Sequence, residues 1–319
     1  MSPLCQRARA RTPGTAQVGP LTGGIVIGSG RWSNDEYAAR ATLRAASGKG
    51  AFDYSDVAKR TGTYVVHEDL DPKVLAGSAS PFAGRIMRES RDSTDHPNSV
   101  PIVVFFDVTG SMHTYPQRLQ DRLPTLLSHL LQRVADPQIL VGAVGDAFSD
   151  RVPLQVAQFE SDIRIDEQLS NILLEGGGGG GNHESYELAL YFLARHTDHD
   201  ALNLRGKKGY AFIIGDERAY EEVAAGQVSK FVGSGFQGPI TTRDILTEAQ
   251  QKYEVYFIAV DNQYRRTNEA YWKDLVGDDH YLTLDNPDDI VNLIGDTVVA
   301  GEITQSVSTP LGTQTKVTP

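Results

Sequence analysis

The chain has 319 residues, with 41 acidic against 30 basic side chains, a net charge of −11 and a single cysteine, Cys5. That balance, without any dense Lys/Arg stripe, excludes a nucleic-acid backbone as main partner and makes cations the expected company. One cysteine excludes an internal disulfide and a cysteine-based zinc site, as in a reducing cytosol.

No apolar stretch follows Arg7, Arg9 and Arg11, and GGIVIG at 23–28 is far too short for a signal peptide or a membrane span. A cytoplasmic protein without membrane contact is the expectation. The first 20 or so residues, rich in Arg, Thr, Pro and Gly, are expected to be disordered. Ser33 with Glu36 three positions on forms a capping box, so a helix is predicted over about 34–46, ending before Gly48. From there to Asn98 the apolar residues are scattered among Asp, Ser, Gly and Pro. They are too few for an independent core but enough for an arm lying on another domain. The polar run ESRDSTDHPN at 89–98 marks the boundary of that arm, 1–98.

The stretch VPIVVFFDVTGSM at 100–112 organises the rest of the chain. Five consecutive apolar residues, Ile102 to Phe106, fit a strand buried on both faces, as in a parallel sheet. Immediately after it come Asp107, Thr109 and Ser111, a carboxylate and two hydroxyls on alternate residues, which a tight turn can fold round one point. Such oxygen donors suit a hard cation such as Mg2+, although Asp107 and Ser111 could equally cap the next helix.

A helix is expected over 117–134, kinked or restarted at Pro124. Strands at 139–144 and 154–159 are joined by too few residues for a crossover helix and should form an antiparallel edge hairpin. A helix at 166–174, six glycines at 176–181 and a helix at 186–195 come next. They are followed by a strand at 210–214 leading into Gly215, Asp216 and Glu217, a helix at 243–253, strands at 255–260 and 281–284, and a helix at 288–299. The fold class is therefore α/β: a doubly wound, mostly parallel sheet of six strands with one antiparallel edge strand, spanning 99–304, plus the N-terminal arm and a loose tail at 305–319.

Strand, DVTGSM at 107–112, helix, and an acidic GDE turn at 215–217 after a later buried strand together resemble a von Willebrand factor A (vWA) domain with a metal-ion-dependent adhesion site, of the intracellular prokaryotic or phage type. The family's Asp-x-Ser-x-Ser motif is matched by Asp107, Thr109 and Ser111, and the Asp after its fourth strand by Asp216. Its third motif places a Thr where this sequence has Glu184, within GGGGGGNHES. The resemblance implies Mg2+ (or Mn2+ or Ca2+) held by Asp107, Thr109, Ser111 and Asp216, and a protein partner such as an AAA-type ATPase or another large assembly. Glu184 departs from the family's pattern and is a fifth candidate ligand, or else an acid at the start of the helix from Tyr186, and no enzymatic activity is expected.

Two other classes stay open. One is a Mg2+-dependent hydrolase or phosphotransferase with Asp107 as nucleophile, although Thr109 stands where such an enzyme would want a second Asp. The other is a structural component of a phage or other large assembly. The glycine run could cradle an anion or let backbone pass close to the Asp107 turn. Asp146 and Asp150 could form an outer layer around the site or simply polar loops. RHTDHD at 195–200 reads as a solvated helix end, His113 is the histidine nearest the site, and the long connection from Arg218 to Thr242 is expected to form a mobile surface with Phe231 and Phe236 as contact residues.

Overall fold

Nine successive buried residues, Ser99–Asp107, form the central strand of the protein. The computed structural model describes residues 30–308 except 113, 178–180, 237 and 261–262, so the expectations for 1–29, His113 and 309–319 lie outside the described residues. Before the sheet come helices α1 (Asn34–Ala46) and α2 (Asp53–Thr61) and strand β1 (Arg88–Ser90). The central strand is β2, followed by α3 (Thr114–Leu131), β3 (Asp136–Val144), β4 (Leu154–Val156) and α4 (Arg164–Ser170). Then come β5 (His183–Glu184), α5 (Tyr186–Arg195), β6 (Thr197–His199), α6 (Asp200–Arg205), β7 (Gly209–Gly215) and β8 (Arg218–Ala219). Strand β9 (Glu222–Val223), a turn of helix α7 (Ala225–Gln227), β10 (Ile240–Thr241), α8 (Thr242–Gln250), β11 (Tyr253–Val260), α9 (Arg265–Val276), β12 (Tyr281–Leu284) and α10 (Ile290–Ser308) complete the chain.

The main sheet has six strands in the order β12-β11-β7-β2-β3-β4, parallel throughout except for the antiparallel β3–β4 pair at one edge. This is the mixed α/β sheet that the sequence pattern predicts. Alternate residues of β2 feed two cores: Ile102, Val104 and Phe106 meet α3 and α10, while Val103 and Phe105 meet α5, α8 and α9. A strand covered on both faces has no position for a polar residue until it ends, which is why Asp107 appears only at its carboxyl end.

Helix α3 runs without a break through Pro124. Proline has no N–H to offer the carbonyl four residues back, that of Gln120. The Tyr37 hydroxyl of α1 donates to that oxygen at 2.9 Å, so the arm satisfies the acceptor that the proline frees. Other contacts fasten the arm to the same face. Trp32, Phe52 and Leu70 enter the first core, Arg44 and Arg40 converge on the fully buried Asp166 of α4, and β1 pairs in parallel with β6.

That last pairing gives RHTDHD a different role from the one expected. His199 is buried, accepts from the Leu202 N–H at 3.1 Å as the cap of α6, and makes a 3.1 Å contact with the Lys252 carbonyl. The segment is an internal anchor and not a solvated helix end. The final helix runs to Ser308, past the start expected for the loose tail. The connection at 218–242 also differs from expectation. It is pinned by β8 on β5 and β10 on β9, with Val223, Val228 and Val232 fully buried; Phe231 and Phe236 are packed against the second core.

Candidate functional site

The carboxyl ends of β2 and β7 lie side by side at the centre of the sheet. The chain leaves β2 toward β3 on one side and later returns to β7 on the other, so this is the topological switch, where doubly wound sheets leave a crevice. Asp107 closes β2 and Asp216 follows β7 directly. Both are almost wholly buried, at 0% and 2% exposure.

The Asp107 carboxylate is held at both ends. Its Oδ1 accepts from the Thr109 N–H at 2.7 Å and the Thr109 hydroxyl at 2.5 Å, and its Oδ2 accepts from the Tyr186 hydroxyl at 2.6 Å. Thr109 therefore folds back on Asp107 and spends its hydroxyl hydrogen on that carboxylate. Ser111 lies on the exposed surface of the turn. Burial, reinforced by the neighbouring Asp216 charge, nonetheless pushes Asp107 well above the usual carboxylate range.

Glu184 reaches the same place from β5, which the parallel pairing with β8 fixes beside the Asp216 turn. It is 4% exposed, and its Oε2 has no hydrogen-bond partner among the described residues. Burial is the main cause of its strongly raised pKa, and the charges acting most on it are all carboxylates: Asp107, Glu217, Asp146 and Asp150. Among the described residues, however, no group of three or more His, Cys, Asp and Glu side chains is arranged to hold one metal ion. The structure thus places Asp216 and Glu184 each within electrostatic reach of Asp107 without setting the three round a common point. Asp107 and Asp216 with the two hydroxyls remain an all-oxygen donor set suited to a hard cation, which needs only one or two carboxylates.

Asp146 is occupied with its own loop. Its oxygens accept from the Phe148 N–H at 3.0 Å, the Ser149 hydroxyl at 2.8 Å and the Tyr220 hydroxyl at 2.9 Å. That loop presents Phe148, 68% exposed, against the Tyr220 ring at 4.6 Å. The described end of the glycine run serves close approach. The Gly177 carbonyl accepts from the Gly110 N–H at 2.9 Å, and a Cβ at Gly177 would collide with Asp150.

Sequence reasoning missed the frame around the acids. Tyr186 reaches Asp107 across Gly215, where any Cβ would strike its hydroxyl, and its ring packs edge-on against Phe257 and Trp272. Helix α9 supplies Asn268 Nδ2 to the Asp216 carbonyl at 2.8 Å and Trp272 Nε1 to the Glu217 carbonyl at 2.8 Å. Glu187, wholly buried on α5, was missed as well; burial raises its pKa to about 8. The signal for Tyr186 was its place at the start of the helix after the glycine-rich turn.

No protein-family model and no curated protein matches the chain. Among solved structures it is similar to the pilus adhesin SpaC of Lactobacillus rhamnosus GG, at 11% identity over 67% of this chain and 31% of that one, with a TM-score of 0.42. Proximal thread matrix protein 1 of the mussel byssus aligns at 12% identity over 64% of this chain and 48% of that one, TM-score 0.43. An aerotolerance-related membrane protein of Bacteroides fragilis aligns at 15% identity over 63% of this chain and 98% of that one, TM-score 0.38. The alignments thus span about a third of the adhesin and half of the byssus protein, and the fold class rests on the strand order itself. Among the described residues no helix is long and apolar enough to cross a membrane.

Proposed function

We propose that this chain is a vWA-type interaction module, in which a divalent cation bound at Asp107, Thr109, Ser111 and Asp216 gates capture of a protein partner. The observation that carries the reading is the set of buried carboxylates at the switch point. Asp107 and Asp216 lie side by side there and Glu184 comes within electrostatic reach of Asp107 from β5, with no cationic side chain among the main influences on Asp107 or Glu184, and one oxygen of Glu184 has no hydrogen-bond partner among the described residues. When bound, a divalent cation supplies the missing positive charge and a coordination position for an acidic side chain of the partner.

The chain's own residues do the positioning. Thr109 and Tyr186 hold the Asp107 carboxylate in one orientation. Glu184 is the acid that tunes the site: as a direct ligand it would leave the ion nearly neutralised, and displaced it would free the ion for an external carboxylate. Phe148, exposed beside the acids, provides an apolar contact for the same partner. The cytoplasmic location and the ATPase or large-assembly partner implied by the sequence resemblance are parts of this proposal. Asp107 has no second Asp two residues on, which disfavours the phosphoaspartyl-enzyme alternative.

Calorimetric titration of the full chain with Mg2+ and with Mn2+ tests the reading. Saturable binding is expected, abolished by Asp107→Ala, and a Glu184→Thr variant is expected to bind Mg2+ more weakly. Absence of binding at millimolar Mg2+ and Mn2+ alike, or titrations unchanged by Asp107→Ala, would remove the proposal.

A further inference from the structure

The opposite end of the sheet holds an open groove of about 510 Å3 between the amino end of β2, the α3–β3 turn and the last turns of α10. Its floor is apolar. Val100 and Val134 lie on one side and Val299, Ile303 and Val307 on the other. The last three recur every fourth residue, so they form one stripe about 12 Å long on α10. Ile303 is 62% and Val307 82% exposed. Single exposed aliphatic residues are ordinary on protein surfaces, but an aligned stripe that continues a groove is a contact surface.

The rim is basic. Arg133, Arg205, Lys207 and Lys208 line the groove, against one acid, Glu302, on a chain whose net charge is −11. Arg205 is tied to Asp92 and to the Ser99 carbonyl. Lys207 contacts Glu302 and Lys208 contacts Glu254, at 3.3 and 3.2 Å. Arg133 is exposed, lies 3.1 Å from the His129 Nδ1 and makes no ion pair with a described residue. Three of the four cations are thus balanced by Asp92, Glu302 and Glu254, and Arg133 is the rim cation that no described carboxylate pairs, beside an apolar trough on the face away from the acidic site.

We infer that this groove docks an acidic amphipathic helix of a partner protein, whose apolar face covers the Val299–Ile303–Val307 stripe while an Asp or Glu of its polar face meets Arg133 and its further acids compete for Lys207 and Lys208. Charge complementarity selects that occupant. A basic or neutral helix would bury the same apolar area while placing no anion beside the rim, and a second copy of this strongly acidic chain would bring general repulsion. The surface is independent of the cation site, so each can be tested without the other.

The test is fluorescence anisotropy of the full chain with a labelled synthetic helix of roughly four turns, leucines along one face and glutamates along the other. Micromolar binding is expected, weakening steeply with salt, and a matched peptide with lysines in place of glutamates is expected not to bind. Arg133→Glu and Ile303→Asp, both at exposed positions, should each weaken binding by roughly tenfold or more, with the melting temperature unchanged. Asp107→Ala should bind the peptide normally. Equal binding of the acidic and basic peptides, unchanged affinity in both groove variants, or no binding of the acidic peptide would overturn the inference. So would capture of anionic lipid vesicles without capture of the peptide, or self-association of the chain that the acidic peptide fails to displace.

Discussion

Replacing Arg88 by methionine should lower the stability of the protein by about 3–5 kcal/mol and release the segment that precedes it. Arg88 is completely buried, yet its guanidinium has no carboxylate partner among the described residues. It donates instead to four main-chain carbonyls: Nε to Ala157 at 3.1 Å, Nη1 to Val74 at 3.0 Å, and Nη2 to Asp71 at 2.8 Å and Val156 at 3.3 Å. Phe192 lies against the guanidinium at 5.5 Å. Two of these carbonyls belong to the arm and two to the edge of the main sheet, so one side chain stitches the arm to β4.

Burial lowers the Arg88 pKa to about 10, which still leaves it charged at neutral pH. Methionine fills a similar volume but strands four buried acceptors. Lysine keeps the charge with three donors in place of five and should lose part of the stability. The expected fall in melting temperature for Arg88→Met is roughly 10 °C, and proteolysis of the native protein should begin between α2 and β1. An unchanged melting temperature and an intact arm would show that the carbonyls find other donors.

Nothing in the sequence distinguishes Arg88 from its neighbours, and the reason is general. Buried parallel strands announce themselves as apolar runs because both faces are covered, so β2, β3, β7 and β11 were legible, together with the acids at their ends. The pairing of Asp107 with Asp216 came from the family resemblance, and the strand order β7-β2 sets them side by side. Helix α9 was not legible, because it buries only Asn268, Trp272 and Val276, too thin a stripe to show a period. For the same reason α2, with only Ser55 and Ala58 buried, left no pattern. The Tyr186 bond to Asp107 spans 79 residues and depends on the missing side chain of Gly215. Contacts of that kind are set by the third dimension, and no local pattern encodes them.

In the presence of a chelator, Asp107, Glu184 and Glu187 should together remove stability as pH rises from about 4 to above 7, opposing Asp92, Asp162, Glu248 and Glu254, whose hydrogen-bonded partners lower their pKa values and whose contributions grow with pH. Asp107, Glu184 and Glu187 all have raised pKa values, to about 7, 10 and 8, with burial as the leading cause. The folded protein therefore holds protons that the unfolded chain releases near pH 4, and the number bound is smaller in the unfolded state. The stabilisation is complete below the unfolded values and is lost as pH climbs through the folded ones. A tenfold difference in proton affinity between folded and unfolded chain corresponds to about 1.4 kcal/mol for each group.

Mg2+ should counter this loss only in part. An ion at the proposed site stabilises the charged forms of Asp107 and, where it ligates, Glu184, and contributes about 2.7 kcal/mol more at a concentration a hundredfold above its dissociation constant. Glu187 lies outside the donor set, so its share of the slope should persist with Mg2+ and disappear in Glu187→Gln. Glu184→Gln removes a charge whose Oε2 has no hydrogen-bond partner among the described residues to lose. In chelator at pH 8 that variant should be more stable than the unaltered protein, with a flatter pH profile. Urea unfolding at several pH values, with EDTA and with Mg2+, measures all of these. Glu184→Gln and Glu187→Gln profiles in chelator that run parallel to that of the unaltered protein would show that these carboxylates are stabilised as anions by the protein itself, leaving the cation with no electrostatic role.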